Sequence, residues 1–453
     1  MDQPNILFVF SDQHRSCDLG CYGNGELLTP NFDAFAQKAA VFKNCIANSP
    51  VCVPSRGSLL TGLMPSRHRA ITNDLPIRTD CESIASVMNK NGYSTGYIGK
   101  WHLAGIPRDK PISAGERLGF SCWRAHNCHH DYNNAFYYDE ENIRHDVKGY
   151  EPIAQTDLAV EFIRSNSGQP WGLTISYGTP HDPYMSAPDK YLDLYRNKRP
   201  ALRENVPAVI TRGMGGSLNR DEIEEFYRGY YAHITALDEQ FGRLLQALES
   251  TGQMENTLII YTSDHGDMLG SQGQTNKQWP YFESINVPLM VYCKGKTAAY
   301  MSDEIISLVD LPVSMLALAG MSFSAAVDGQ DLSSLFTDEN AAGAPYAYIM
   351  DLVPCHQAAL RGSPEWRGIK TKKHTYARSF DGSFEVLFDD VNDEFQRNNI
   401  KEDQDIKEHL EQVLAGAASR YDEFLPWREF IIKHGYKDEW NKSQRHFNLP
   451  VLE

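Results

Sequence analysis

Cys52 opens the stretch Cys52-Val53-Pro54-Ser55-Arg56-Gly57-Ser58-Leu59-Leu60-Thr61-Gly62. Pro54 is tolerated in a first helical turn, where its missing N–H has no partner to lose. Gly62 suits a helix stop. The spacing predicts a helix over 55–60, with Cys52 at or just before its N-terminus and Arg56 on the same face. Free N–H groups and the helix dipole favour negative charge there, so a bare thiol at that place is expected to ionise readily. Oxygen-bearing pairs lie elsewhere: Asp12 and Gln13 after the apolar run 5–10, and Asp264 and His265 after 257–263. Such groups suit a hard divalent cation, Ca2+ or Mg2+, while the imidazole tolerates Mn2+. Cationic groups complete the set at Lys100, His102, His181 and Lys277. Lys100 and His102 are two residues apart and point the same way on an extended chain.

These residues need a scaffold that gathers strand ends. The runs 5–10, 93–99, 171–177, 257–263 and 287–292 read as buried strands, some of them continuous apolar runs like parallel strands covered on both faces. Helices are expected over 29–40, 82–91, 157–164, 221–250 and 310–318, with Gly92, Gly252 and Gly320 as stops. Strand and helix alternate through about residue 335, which predicts an α/β fold with a mostly parallel, doubly wound sheet. Ligands of such sheets bind at the carboxyl ends of the strands, where Asp12, Lys100, His181 and Asp264 fall. Beyond that point the pattern changes to short strands at 346–350, 367–376 and 384–388 and a helix at 401–421. We therefore expect a catalytic α/β domain over 1–340 and a smaller α+β subdomain over 341–453. The Tyr-, His- and Asn-rich segment 121–150 reads as an irregular insertion and a substrate loop.

The 453 residues are 42% hydrophobic and 23% charged, a globular composition that excludes disorder. A net charge of −16 argues against nucleic-acid and anionic-membrane partners. An anionic substrate would therefore require a local cationic pocket. Nine cysteines without small-scaffold spacing predict free thiols in a reducing compartment. Cys17 and Cys21, or Cys122 and Cys128 with their neighbouring histidines, form no CxxC pair, which argues against a zinc scaffold. No apolar run reaches transmembrane length, and residues 5–10 read as a strand rather than a leader. The expectation is a cytoplasmic protein, or a periplasmic one whose signal has been removed.

The Cys52-x-Pro54-Ser55-Arg56 pattern followed by Leu59-Leu60-Thr61-Gly62 resembles the signature of type I, formylglycine-dependent sulfatases of the alkaline phosphatase superfamily. Further stretches carry the same resemblance: Asn5-Ile6-Leu7 through Ser11-Asp12-Gln13, Gly20 to Asn24, Gly99-Lys100-Trp101-His102, Pro180-His181, Thr262 to Asp267, and Lys277 with Tyr281-Phe282-Glu283. The resemblance implies an alkaline phosphatase-like fold and a sulfuric ester hydrolase. It implies that Cys52 is oxidised to the aldehyde formylglycine by a formylglycine-generating enzyme. Asp12, Gln13, residue 52, Asp264 and His265 are the implied metal ligands, with Ca2+ as the expected ion and Mg2+ or Mn2+ as alternatives. Gln13 departs from the pattern, since many members carry a second aspartate there. In the implied reaction the hydrated aldehyde attacks sulfur while Arg56, Lys100 and Lys277 neutralise the oxygens. His181 protonates the leaving alcohol, and His102 is the base when sulfate departs. Relatives acting on sulfated glycans make a carbohydrate sulfate the expected substrate. His126 and His130 would face it from one side, and His356, Arg361 and Trp366 from the other. The alternative is an enzyme of the same fold that cleaves phosphonate monoesters or phosphodiesters.

Overall fold

The structure, a computed structural model, describes residues 3–211, 216–356 and 362–453. In chain order the first half contains β1 (Asn5–Asp12), α1 (Pro30–Ala36), β2 (Ala40–Ile46), α2 (Cys52–Thr61), α3 (Ile84–Lys90), β3 (Ser94–Lys100), β4 (Cys122–His126), β5 (Phe136–Tyr138), β6 (Arg144–Asp146), α4 (Glu151–Ser165) and β7 (Trp171–Pro180). A two-residue pair, β8 (Ile210–Thr211) and β9 (Ser217–Leu218), precedes α5 (Arg220–Ser250), β10 (Thr257–Ser263), β11 (Asn286–Tyr292), β12 (Tyr300–Ser307) and α6 (Leu311–Leu318). The last part holds β13 (Ala347–Asp351), β14 (Trp366–Lys370), β15 (His374–Arg378), β16 (Glu385–Asp389) and α7 (Gln404–Tyr421).

Among the described residues ten strands form one sheet in the order β12-β2-β11-β10-β1-β7-β3-β4-β5-β6. Five of its nine pairings are parallel, including every pairing from β10 through β1, β7 and β3 to β4. All residues of β1, β7 and β10 are buried, as continuous apolar strands require when both faces are covered. Alternation along β1 divides the core. Ile6, Phe8 and Phe10 pack with Leu59, Met88 and Leu316 from α2, α3 and α6. Leu7 and Val9 pack on the other face with Phe32, Ile163 and Leu237 from α1, α4 and α5. Helices on both faces of a mostly parallel sheet make the expected doubly wound α/β fold.

Several elements differ from the sequence expectations. The helix expected over 29–40 ends at Ala36, because Val41 and Phe42 pair with Met290 and Leu289 in β11. That long-range pairing outweighs the local helical pattern. β12 was not expected either; Asp303 and Glu304, at the irregularity in its pairing with β2, break the apolar signal. The expected strand 367–376 is a hairpin of β14 and β15, turned at Thr371, whose N–H donates to the His374 carbonyl. Segment 121–150 is not wholly irregular: β4, β5 and β6 extend one edge of the large sheet.

The antiparallel sheet β13-β14-β15-β16 is separate, and α7 packs on it through Leu410 and Leu414. Its core also takes in Met64, Ile71 and Leu75 from the segment after α2, so this sheet is seated beside the helix that carries Cys52.

Gly99 fixes the end of β3. Its φ is +108°, and an added Cβ would run into the Ser176 carbonyl oxygen of β7. Backbone of this kind costs a non-glycine residue on the order of 3 kcal/mol. Gly99→Ala is predicted to lower the urea unfolding midpoint by a corresponding amount; an unchanged midpoint would contradict this packing.

Candidate active site

Parallel register builds the centre of the site. Ser11 in β1 is level with Ser263 in β10, so Asp12 and Asp264 emerge side by side at the carboxyl edge. On the other side of β1, Asp12 is level with Pro180 of β7, and β7 in turn pairs with β3. His181 and Lys100 thereby reach the same edge. α2 starts at Cys52, three residues earlier than the expected start of the helical run, and ends at Gly62 with φ +65°. Every residue of α2 is buried. Asn73 Oδ1 accepts from the Val53 N–H at 3.2 Å, which satisfies a donor in the helix's first turn.

Arg56, on the next turn, makes four hydrogen bonds. Nε donates to Asp264 Oδ2 (2.9 Å) and Nη2 to Asp12 Oδ2 (2.8 Å). Nη1 donates to the Lys100 carbonyl and to Ser176 Oγ. The guanidinium, expected to face substrate, is instead committed to the two carboxylates. With both Oδ2 atoms held, Asp12 Oδ1 and Asp264 Oδ1 stand 3.7 and 3.6 Å from His265 Nε2. Cys52 Sγ, occupying the place where formylglycine oxygen atoms would stand, is 3.2 Å from that nitrogen and 3.7 Å from Asp12 Oδ1.

The donor set fits a divalent cation. Four buried groups, Asp12, Cys52, Asp264 and His265, converge within 4.8 Å of one another. His265 Nδ1 donates to the Gly266 carbonyl at 2.9 Å, which leaves Nε2 aimed into the cluster, toward residue 52. Burial and the neighbouring Asp12 carboxylate push Asp264 upward, against the opposing pull of His265 and Arg56. Gln13 has φ +71°, and its backbone N–H donates to Asp264 Oδ1. Its side-chain amide, expected among the ligands, accepts from Lys277 Nζ (2.6 Å) and donates to Asp267 Oδ2 (2.6 Å).

Cations surround residue 52. Lys100 Nζ donates to Asp12 Oδ2 at 2.7 Å, and Lys277 Nζ to His181 Nε2 at 2.6 Å. Burial and the Asp12 charge oppose ionisation of the Cys52 thiol, yet Lys277, Lys100 and His265 together hold it well below its ordinary value. His102 has φ +56° and lies 3.8 Å from Asp74, a carboxylate clamped by Arg108 through bonds of 2.7 and 2.8 Å. Burial works against charge on His102, but Cys128 and Asp74 raise it to about 10. His181 Nδ1 donates to the Asp182 carbonyl, so Nε2 is the nitrogen that meets Lys277.

The expected substrate residues divide. His130 reaches the site: its ring stacks on His181 at 4.4 Å, and Nε2 is 3.4 Å from Lys100 Nζ. His126 is buried against His129 and Glu151 rather than exposed on a wall. Trp366 is also buried, and its indole N–H donates to the Gln278 carbonyl. His356 stacks on Phe447 near Asp74. Arg361 lies outside the described residues. Asp74, Arg108, Asn73, Ser176 and Cys128 were missed by sequence reading. None of them sits in a motif with the residue it supports; Cys128 alone had a signal, its closeness in sequence to the His129–His130 pair.

The Sulfatase family model matches residues 4–321. An ulvan-active sulfatase of Formosa agariphila is 34% identical over 97% of this chain and 86% of its own length. An endo-4-O-sulfatase of Bacteroides thetaiotaomicron is 31% identical over 91% and 90%. A solved structure from work on glycosaminoglycan metabolism by Bacteroides thetaiotaomicron superposes with a TM-score of 0.84 at 29% identity, covering 95% of this chain and 99% of the other. The family uses a metal and formylglycine, and the buried Asp12–Cys52–Asp264–His265 cluster has the matching donors. With the fold, the cluster and the match over most of its length in agreement, the chain belongs to the sulfatase family and is a sulfuric ester hydrolase.

Proposed function

We propose that this enzyme removes sulfate from a sulfated carbohydrate, with formylglycine formed at position 52 by a formylglycine-generating enzyme. The observation that carries the reading is the cation-lined niche at the start of α2. Arg56, Lys100 and Lys277 carry three positive charges against the two of Asp12 and Asp264, all five side chains being buried within a protein of net charge −16. Asp12, residue 52, Asp264 and His265 would hold the cation, Ca2+ by preference and Mg2+ or Mn2+ otherwise. Gln13, bonded to Lys277 and Asp267, would sit beside it. When present, the cation supplies Lewis acidity and formylglycine supplies a hydroxyl nucleophile.

The chain's own groups then divide the work. Lys100 and Lys277 bind and neutralise the sulfate oxygens from buried positions, where fixed charges act strongly. Arg56 is a positioning residue that aims the two carboxylates. Lys277 and His181 form a proton relay: His181 Nε2 takes a proton from Lys277 and passes it to the leaving alcohol. His102, whose charged form Cys128 and Asp74 favour, is placed to donate to the oxygens at position 52 and to take a proton back when sulfate departs. A glycan fits the relatives, which include an ulvan-active sulfatase. The four-stranded sheet and helices beyond β13 support a division near residue 340, with the later part bringing His356 to the substrate side, near Asp74. Among the described residues no helix is long and apolar enough to cross a membrane; we place the enzyme in the cytoplasm, or in the periplasm if a leader has been removed.

A general acid matters most when the leaving group is poor. His181→Ala should therefore cut kcat on a sugar sulfate by about 10²–10⁴-fold and on 4-nitrophenyl sulfate far less. Equal losses would remove the relay. A higher kcat/KM on phosphonate monoesters than on any sugar sulfate would overturn the substrate class.

Asp74 stabilises the charged form of His102, so replacing it must lower the pH at which the ring loses its proton. Asp74→Asn should move the His102 Cε1 proton titration, followed by NMR, from about 10 toward neutrality. An unmoved titration would dissociate His102 from this carboxylate.

A further inference from the structure

The geometry points to a second cation site, distinct from the cluster at residue 52, formed by His126, His129 and Glu151 and suited to Zn2+. His126 ends β4, His129 follows in the adjoining loop, and Glu151 is the first residue of α4. The fold brings all three together, with ligand atoms within 4.8 Å of one another. His126 Nδ1 lies 3.3 Å from Glu151 Oε1, and His129 Nε2 lies 3.4 Å from the same oxygen. Neither contact has hydrogen-bond geometry. Both distances match the edge of a zinc tetrahedron, since ligands about 2.0–2.2 Å from the ion at a tetrahedral angle stand roughly 3.3–3.5 Å apart.

The chemistry of burial supports the same reading. The His126 side chain is 1% exposed and that of Glu151 2%. Both ring nitrogens of His126 and Glu151 Oε2 lack hydrogen-bond partners among the described residues. Buried polar groups without partners are costly, and a shared ion satisfies several at once. Two imidazoles and one carboxylate form a three-ligand set that zinc accepts, with a fourth place for water. The His129 side chain, 14% exposed, marks the route by which an ion would enter. Such an ion would tie β4 to the start of α4 and hold the loop in which His130 stacks on His181. The site would therefore stiffen the substrate side without touching the reacting atoms.

The test uses the full chain, zinc and Co2+ as probes, and His265→Ala to weaken the cluster at residue 52 while leaving its carboxylate–arginine bonds intact. After passage over a desalting column, wild type and His265→Ala should each retain one equivalent of zinc attributable to this site. Co2+ in its place should give the intense visible bands of a four- or five-coordinate ion. Glu151→Gln and His129→Ala should lose that equivalent, with affinity falling more than about 100-fold, beyond the cost of removing a residue that only supports a ligand. His129 lies nearest the surface, and His129→Gln provides a second chain whose folding is checked by circular dichroism. Folded His265→Ala protein that retains no zinc, or a folded His129 variant that retains a full equivalent, would overturn the site.

Discussion

Arg56 bridging Asp12 and Asp264 is the interaction on which the site depends. Three fully buried charges share it, at 2.8 and 2.9 Å. Removing one partner from such a group leaves an uncompensated charge in a dry interior, typically at a cost of about 3–5 kcal/mol. The bridge also has a directional effect. By taking one oxygen from each carboxylate it turns the other two toward His265 Nε2 and residue 52. Its remaining bonds run to Ser176 and the Lys100 carbonyl, so the ends of β1, β10, β7 and β3 are locked to one helical turn.

The helix that supplies Arg56 also supplies residue 52, and this shared origin explains why α2 is buried throughout. A surface helix would leave both charges wet and their geometry loose. Here the surrounding sheet fixes the helix, and the helix fixes the carboxylates. Around them the backbone is held in unusual states: Gln13, Asp74, His102, Asn276 and Gln278 all have positive φ. Each lies at, or one residue from, a group that points into the site. Strain of this kind persists where surrounding contacts impose it, and here it aims side chains that regular strands would point elsewhere.

Sequence reading recovered what is local. The strand ends bearing Asp12, Lys100, His181 and Asp264 could be found from apolar runs followed by polar residues, and α2 from Pro54 and Gly62. What depended on distant partners could not be found. β2 was hidden because its partners in β11 lie at least 240 residues away in sequence. Asp74 carries no motif, and its importance comes from Arg108 and His102 folding against it. His126 has the chemistry of a sugar ligand, yet β4 joins the sheet and carries that ring inward beside Glu151. The guanidinium of Arg56 was placed on the right face of the right helix, but its partners are the carboxylates, a choice that only register reveals.

The proposed mechanism requires an aldehyde at position 52 in the active enzyme. Mass spectrometry of the peptide containing residue 52, taken from active protein, tests this most directly. The expected result is the mass of formylglycine or its hydrate, in a fraction that rises with sulfate-ester turnover across preparations. A fully active preparation in which that peptide carries only an unmodified thiol would contradict it.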